Sequence, residues 1–203
     1  MGEQVRHAVR PATSGDLDRL SQTLAAAFSD DPAFCHLLPP GVRARDDRLR
    51  RAFTVDGKRS LRRGGLWTTA AGDAAAVWFP PGAWRPTPGE EIRETPAWVR
   101  IAGRRMLVFQ RLRSALFAHH RELPPHWYLY YLGARPDRQG QGLGSALLEA
   151  VLDRCDADGL PAYLESTCER NLTLYRRHGF EEQGPLDLPP GCPPLTPMWR
   201  DPR

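Results

Sequence analysis

Three glycines lie two residues apart in the stretch QGQGLG, which runs from Gln139 to Gly144. The stretch follows the aromatic run WYLYYLGA and precedes a leucine-rich segment with helical periodicity. A loop that leads from a strand into a helix leaves backbone amides unpaired at the helix N-terminus, where the helix dipole favours an anion. Glycine lets a phosphate approach those amides because it has no side chain. The sequence therefore predicts a phosphate-binding loop.

Two well-known phosphate-binding loops fit these residues poorly. A Walker A loop needs GxxxxGK followed by Ser or Thr, and this chain has no such run, so ATP hydrolysis is not expected. A Rossmann fingerprint would place Ser145 where its third glycine belongs, and the five residues from Arg135 to Gln139 separate the strand from the glycines. Glu165 does stand about twenty residues further on, where a ribose-binding carboxylate is expected, so a dinucleotide site is the weaker alternative.

The loop also matches Q/R-x-x-G-x-G/A, the pyrophosphate signature of the GNAT superfamily of N-acetyltransferases, which the chain resembles over nearly its whole length. The other matching segments are VRPATSGDL, LYYLGARPD, LEST and NLTLYRRHGF. Within the superfamily, the chain is most similar to the puromycin N-acetyltransferase-like branch, with which it shares AAAF, the glycine loop, L-E-[ST] and R-N-x-x-x-Y-x-x-x-G-F. This resemblance implies transfer of an acetyl group from acetyl-CoA to an amine.

The resemblance also implies where the coenzyme binds. The loop amides would hold the pyrophosphate, with Arg135 and Arg138 adding positive charge. The end of a splayed central strand would pair with pantetheine, and Gly133 would permit that close approach. The residues expected to bind coenzyme A are Leu132, Gly133, Ala134, Arg138, Gln139, Gly140, Gln141, Gly142, Leu143, Gly144, Ser145 and Asn171.

Two catalytic side chains are expected, Tyr175 and Glu165. Asn171 and Tyr175 are four residues apart and so share one face of a helix. By resemblance, Asn171 contacts the coenzyme arm and Tyr175 is the general acid beside the sulfur. The plainer alternatives are a helix N-cap for Asn171 and a core aromatic for Tyr175.

Glu165 is the candidate base, acting directly or through water, because a carboxylate on the strand facing the splay can accept an amine proton. A structural partner for an arginine is the alternative role. His120 and His126 flank the entry to the central strand and are alternative bases, although loop histidines are commonly exposed.

Contacts to the acceptor are less well specified. Asp30 and Asp31 can meet a cationic amine, but a turn cap before Pro32 is the preferred interpretation. An apolar acceptor wall is one hypothesis for three aromatic residues, and core packing explains the first two equally well: Trp78, Phe79 and Trp84.

The resemblance implies a mixed α/β (α+β) GNAT fold, with a mostly antiparallel central sheet, a splayed pair of parallel strands and flanking helices. One domain is expected over residues 1–203, with a loop-plus-helix insertion at about 80–125. In that insertion, residues 80–96 are predicted as a loop and 96–120 as one long helix. The other predicted elements are a strand in VRHAVRPAT, a helix from Thr13 to the break at SDDP, a helical region at about 42–63, a hairpin of LWTTA and AAAVWF, strands WYLYYLGA and AYLEST, helices behind the glycines and in NLTLYRRHGF, and one or two strands in the tail.

Composition excludes several functional classes. The net charge of +4 comes without a DNA- or RNA-reading motif, so no nucleic-acid partner is expected. No apolar run spans a membrane and the N-terminus carries no secretory signal, so a cytoplasmic location is expected. Four scattered cysteines without CxxC or His at zinc spacing predict reduced thiols and no metal.

The expected partner is therefore a small-molecule amine, bound by a monomer or a homodimer. Two alternatives stay open: a domain that binds acyl-CoA as a sensor without turnover, and an enzyme that acetylates a protein N-terminus or lysine. The predicted insertion favours a roofed small-molecule pocket over a polypeptide site.

Overall fold

A computed structural model of the chain describes residues 7–203. Within these residues, seven strands form one sheet in the order β1-β2-β3-β4-β5-β7-β6. Only β4 and β5 run parallel, and every other neighbouring pair is antiparallel. This confirms the predicted mixed sheet. The strands are β1 Val9–Pro11, β2 Leu66–Thr69, β3 Ala74–Phe79, β4 Trp127–Ala134, β5 Ala162–Ser166, β6 Glu181–Glu182 and β7 Thr196–Arg200.

The parallel pair opens after three residues. Residues 127–129 of β4 pair with residues 162–164 of β5, and the strands then diverge, so residues 131–134 pair with β3 alone. This is the predicted splay. A β-bulge lies at the same point, because Val77 pairs with Tyr131 and Trp78 pairs with Leu129. The extra residue, Tyr130, therefore projects to the same side of the sheet as Tyr131, with ring centroids 4.4 Å apart.

Helices cover both faces of the sheet. One apolar core lies between the sheet and α6 and α7, and a second lies between the sheet and α1 to α5. We call these the α6 face and the α1 face. The helices of the described residues are α1 Leu17–Ala27, α2 Pro32–Leu37, α3 Arg45–Arg62, α4 Pro88–Ala102, α5 Met106–His120, α6 Leu143–Asp158 and α7 Leu172–Arg177.

The segment between β3 and β4 differs from its prediction. Much of the expected loop at 80–96 is helical, since α4 starts at Pro88 after the N-cap Thr87, which forms a capping box with Glu90. The expected single helix is broken at Gly103, whose φ of +54° ends α4, and one turn of 3-10 helix precedes α5. The loop prediction holds for residues 80–87 and was wrong from Pro88 onward, because proline is well tolerated in the first helical turn, where no intrahelical N–H is needed.

Smaller differences have similar causes. The predicted break at SDDP also begins a helix that the sequence interpretation missed, because Asp31 caps α2 and Pro32 is its first residue. The predicted first strand is observed from Val9, while its residues Val5 and Arg6 lie outside the described part. The hairpin and two further strands in the tail are confirmed. No helix within residues 7–203 combines the length and apolarity needed to cross a membrane.

Candidate active site

The glycine loop presents the start of α6 as an anion site. Gly140 and Gly142 have left-handed backbones, with φ of +75° and +83°, a conformation that a β-carbon disfavours. Within the described residues, no side chain caps α6, and its first turn carries no acidic residue. The amides of Leu143, Gly144 and Ser145 are thus left to an external acceptor. This geometry fits a coenzyme pyrophosphate.

Two side chains hold the loop in place. Gln139 Nε2 donates a hydrogen bond to the Ala134 carbonyl, 3.2 Å away, which ties the loop to the end of β4. His7 Nε2 lies 2.6 Å from the Gln141 carbonyl oxygen. Sequence reasoning missed His7, since 134 residues separate it from its partner and no local pattern connects them.

The two arginines of the loop are already paired. Arg138 Nε lies 3.0 Å from Asp73 Oδ2, and Arg135 Nε lies 3.0 Å from Asp137 Oδ1. Both guanidinium charges are therefore partly compensated within the protein. The uncapped amides, rather than free arginine charge, are the dominant feature of this loop.

The end of β4 offers an open edge toward β5. Leu132 and Ala134 face the core under α6, and both are partly buried there. A β-carbon on Gly133 would lie 2.9 Å from the Ala27 β-carbon, so this glycine is required by the packing of α1 against the strand. The packing of α1 therefore explains why position 133 is a glycine, without any approach of pantetheine.

Tyr175 lies on the α6 face, and Asn171 stands four residues before it at the start of α7. Asn171 occupies the N-cap position of α7, but its side chain makes no capping hydrogen bond, so the simple N-cap interpretation is wrong. Tyr175 is only 7% exposed and packs edge-on to Phe180, which confirms it as a core aromatic. Burial raises the pKa of Tyr175, and the charge of Asp31 raises it further, so the phenol keeps its proton at neutral pH. A general acid must begin in that state.

Glu165 lies on the α1 face, with its side chain 5% exposed. Tyr128 donates its hydroxyl hydrogen to Glu165 Oε2 at 2.6 Å, and His120 Nε2 lies 3.3 Å from Glu165 Oε1. No arginine among the described residues contacts this carboxylate, which contradicts the alternative of an arginine partner. Tyr128 was missed, although its period-two alternation with Tyr130 places both on one side of the strand.

A chain of hydrogen-bonding groups continues from Glu165 to a backbone carbonyl. His120 Nδ1 lies 3.0 Å from His126 Nε2, and His126 Nδ1 lies 2.7 Å from the Pro124 carbonyl. Both histidines are 2% exposed, so the expectation that they are exposed loop residues was wrong. Burial, with a smaller effect of neighbouring His120, lowers the pKa of His126 to about 4, so that this ring is neutral at neutral pH.

These bonds assign the protons along the chain. The Pro124 carbonyl requires a hydrogen on His126 Nδ1, which leaves His126 Nε2 as an acceptor for the Nδ1 hydrogen of His120. In a neutral His120, Nε2 then carries a lone pair and faces Glu165 Oε1. Both of these buried atoms lack a hydrogen-bonding partner among the described residues. One proton between these two atoms would satisfy both.

An apolar cavity opens beside Glu165. Its walls come from α2, α4 and α5, and its floor is formed by the tyrosines of β4 together with Glu165 and Thr167. The hypothesis of an acceptor wall was wrong for Trp78 and Phe79, which are fully buried, with Trp78 on the α6 face. Trp84 stacks on His120, with the ring centroids 4.7 Å apart. His120 lines the cavity, so Trp84 packs behind the lining.

The acidic turn has a structural role. Asp31 Oδ1 accepts hydrogen bonds from the amides of Ala33 and Phe34 at 3.0 and 3.1 Å, and Oδ2 accepts one from the Thr167 hydroxyl. The preferred interpretation as a cap is confirmed, while Asp30 is exposed.

The four cysteines are free thiols, as predicted. Among residues 7–203, no three His, Cys, Asp or Glu side chains cluster as a metal site.

Comparison with known proteins agrees with this geometry. Residues 106–180 match the model of the Acetyltransferase (GNAT) family. A solved structure from Corynebacterium glutamicum, described as histone acetyltransferase HPA2 and related acetyltransferase, is 27% identical with a TM-score of 0.73, and the match covers 98% of each chain. The chain therefore has the GNAT acetyltransferase fold. A Drosophila melanogaster polyamine N-acetyltransferase shares the GNAT fold at 19% identity, with a TM-score of 0.65 over 96% of this chain and 99% of the other.

Two curated relatives match a shorter segment of this chain. An uncharacterized N-acetyltransferase of Schizosaccharomyces pombe is 40% identical over 62 residues, which are 30% of this chain and 25% of that protein. Mycothiol acetyltransferase of Clavibacter michiganensis is 47% identical over 57 residues, which are 27% of this chain and 19% of that protein. The matched part thus spans no more than a quarter of either relative.

Proposed function

We propose that this GNAT protein is an acetyl-CoA-dependent N-acetyltransferase that acetylates an amine of a small molecule by direct transfer. One observation carries the proposal: an uncapped glycine loop and a buried pair of proton acceptors, Glu165 and His120, lie on opposite faces of the same splay. An anion-binding loop alone is compatible with any nucleotide. Its combination with an open strand edge and a base is what acetyl transfer to an amine requires.

The coenzyme would be held mostly by backbone groups. The amides at the start of α6 would bind its pyrophosphate, and the free edge of residues 132–134 would pair with its pantetheine arm. The side-chain amide of Asn171, which has no capping partner, is free to contact that arm. When bound, acetyl-CoA supplies the thioester carbonyl that the amine attacks.

The side chains would move two protons. An alkyl amine has a pKa near 10 and is mostly protonated at neutral pH, so a base must remove a proton before attack. Glu165 takes this proton and can pass it to Nε2 of His120. The amine nitrogen then forms a C–N bond with the thioester carbon, the C–S bond breaks, and the Tyr175 hydroxyl protonates the departing thiolate. The nitrogen loses its second proton as the amide forms, and that proton restores the Tyr175 hydroxyl.

Calorimetric titration with acetyl-CoA tests the donor, and thiol release with a panel of amines tests turnover. Saturable binding together with thiol release is the expected result. Binding without release from any amine would instead favour the sensor alternative. Absence of binding would exclude both interpretations.

The acceptor side favours a small molecule over a polypeptide. Residues of α4 and α5 roof the cavity, so a peptide chain would have to displace them. Puromycin is a candidate because the chain resembles that branch in sequence, and it belongs in the panel with other amino-bearing antibiotics. A lysine-containing peptide should release little coenzyme in the same assay.

A further inference from the structure

From the walls and charges of the cavity, we infer that the acceptor is an amine with a single positive charge and an apolar alkyl or aryl body, and that polyamines are rejected. This inference rests on the proposed acetyl transfer and narrows its substrate class. A preference for monoamines would distinguish this chain from the polyamine N-acetyltransferase that has the same fold.

The cavity walls are hydrocarbon over most of their area. Trp98 of α4 stacks on Phe109 of α5 at 4.5 Å, and Leu112, Leu116 and Phe117 continue this apolar surface along α5. Such walls stabilise an acceptor in proportion to the apolar area that it buries. None of these five side chains carries a hydrogen-bond acceptor for a second ammonium group.

The charges around the cavity suit one cation only. Glu165 is the single acidic residue among the described side chains that line it, and Arg113 lines it as a fixed positive charge. A second carboxylate, Asp56, lies beneath the floor and is already occupied, with Arg59 at 2.7 Å and the Tyr131 hydroxyl at 3.0 Å. Arg113 itself pairs with Glu91 outside the lining at 3.1 Å.

A diamine would therefore be at a disadvantage. With one ammonium at Glu165, its second ammonium would lose water against leucine and phenylalanine side chains without gaining a carboxylate. Arg113 would add repulsion of like charges. A monoamine of the same length would bury only methylene and methyl groups there.

Hexylamine and 1,6-diaminohexane form a matched pair for the test, because they differ only in the terminal amine. In a thiol-release assay with acetyl-CoA at neutral pH, we expect kcat/KM for hexylamine to exceed that for the diamine by at least about 100-fold. Equal values, preference for the diamine, or turnover of neither amine would overturn the inference. Acetyl-CoA binding, measured separately, and turnover of any other amine decide whether the proposed function survives.

Two leucines of α5 provide a matched pair of variants. Leu116→Asp places a second carboxylate in the cavity and should reduce the preference for hexylamine at least about tenfold, since the far ammonium gains a partner. Leu107→Asp makes the same change at a site that is 67% exposed and outside the lining, and it should leave the preference unchanged. Acetyl-CoA affinity reports whether each variant is folded. An unchanged preference in a folded Leu116→Asp protein would contradict the inference.

Discussion

The two faces of the sheet are built in different ways. On the α6 face, the groups assigned to the coenzyme come from one short stretch of chain, residues 132–175, and most of them are backbone amides and carbonyls. On the α1 face, the acceptor cavity draws side chains from four helices and two strands between Phe34 and Leu195. The proposed donor site is local, whereas the proposed acceptor site depends on long-range packing.

This difference has a functional consequence. Backbone groups are common to all residue types, so the α6 face can keep one donor while surface residues change. In the proposed enzyme, side chains such as Trp98 and Leu116 would determine what the α1 face accepts, and each lies outside the glycine loop. Substitutions on one face should therefore alter acetyl-CoA binding, and substitutions on the other should alter amine selection and pH dependence.

The largest expected effect is on the α1 face. Glu165→Gln should lower kcat/KM for the amine about 1000-fold at pH 7, because a neutral amide cannot accept the ammonium proton. Acetyl-CoA affinity should stay within about twofold, since Glu165 lies on the opposite face of the sheet from the loop.

A pH series and a milder variant sharpen this test. The loss should be greatest at low pH and should shrink toward pH 10, where the free amine already predominates. Tyr128→Phe, which removes only the hydrogen bond to Glu165, should cost about tenfold. A Gln variant with the normal rate at pH 7 would remove Glu165 as the base.

The second prediction concerns stability and belongs to the same face. The pKa of His126 is about 4 in the folded protein against about 6.5 in an unfolded chain, so the unfolded state binds more protons between these values. Stability is therefore lost as the pH falls from 6.5 to 4, by about 3 kcal/mol in total from this group. Urea unfolding across this range should show a shallower decline in His126→Gln than in the natural protein. Parallel pH curves for the two proteins would argue against a buried neutral His126.

On the α6 face, Tyr175→Phe should lower kcat about 100-fold, because the departing thiolate loses its proton donor. The KM for acetyl-CoA should change less than about twofold, since the phenyl ring keeps its packing on Phe180. Arg176→Gln, an exposed change on the same helix, serves as the control and should leave kcat unaltered. An equal loss in both variants would point to helix disruption instead of lost acid catalysis.

The smallest expected effect comes from replacing the glycines at the two ends of α6. Gly142 precedes the helix with φ of +83°, and Gly159 follows it with φ of +64°, so alanine at either position should destabilise the protein by about 1 kcal/mol. Only Gly142→Ala should weaken acetyl-CoA binding, by about tenfold, because its methyl group and the strained turn disturb the first amides of the helix. Calorimetry and urea unfolding of both variants separate binding from stability. Equal affinities would mean that the loop geometry does not hold the coenzyme.

Sequence reasoning succeeded where a local rule decides the structure. The mixed sheet, the hairpin, the glycine loop and the helix after it follow from strand periodicity, left-handed glycines and the helical rise. It failed between β3 and β4, where Pro88 and Gly103 were weighed incorrectly: the first begins a helix and the second divides one. Both errors concern residues whose effect depends on their exact position within a helical turn.

By itself, the sequence determined the glycine loop, the strands around it and the identity of the candidate acid and base, because each depends on residues within a few turns of one another. Only the tertiary structure decided the acceptor site. It brought His120 beside Glu165, 45 positions further along the printed chain, and Tyr131 beside Asp56, 75 positions earlier. The bulge at Tyr130 turned two consecutive tyrosines toward one cavity, which strict alternation would have sent to opposite faces. Such contacts arise from packing between distant elements, which no local period specifies.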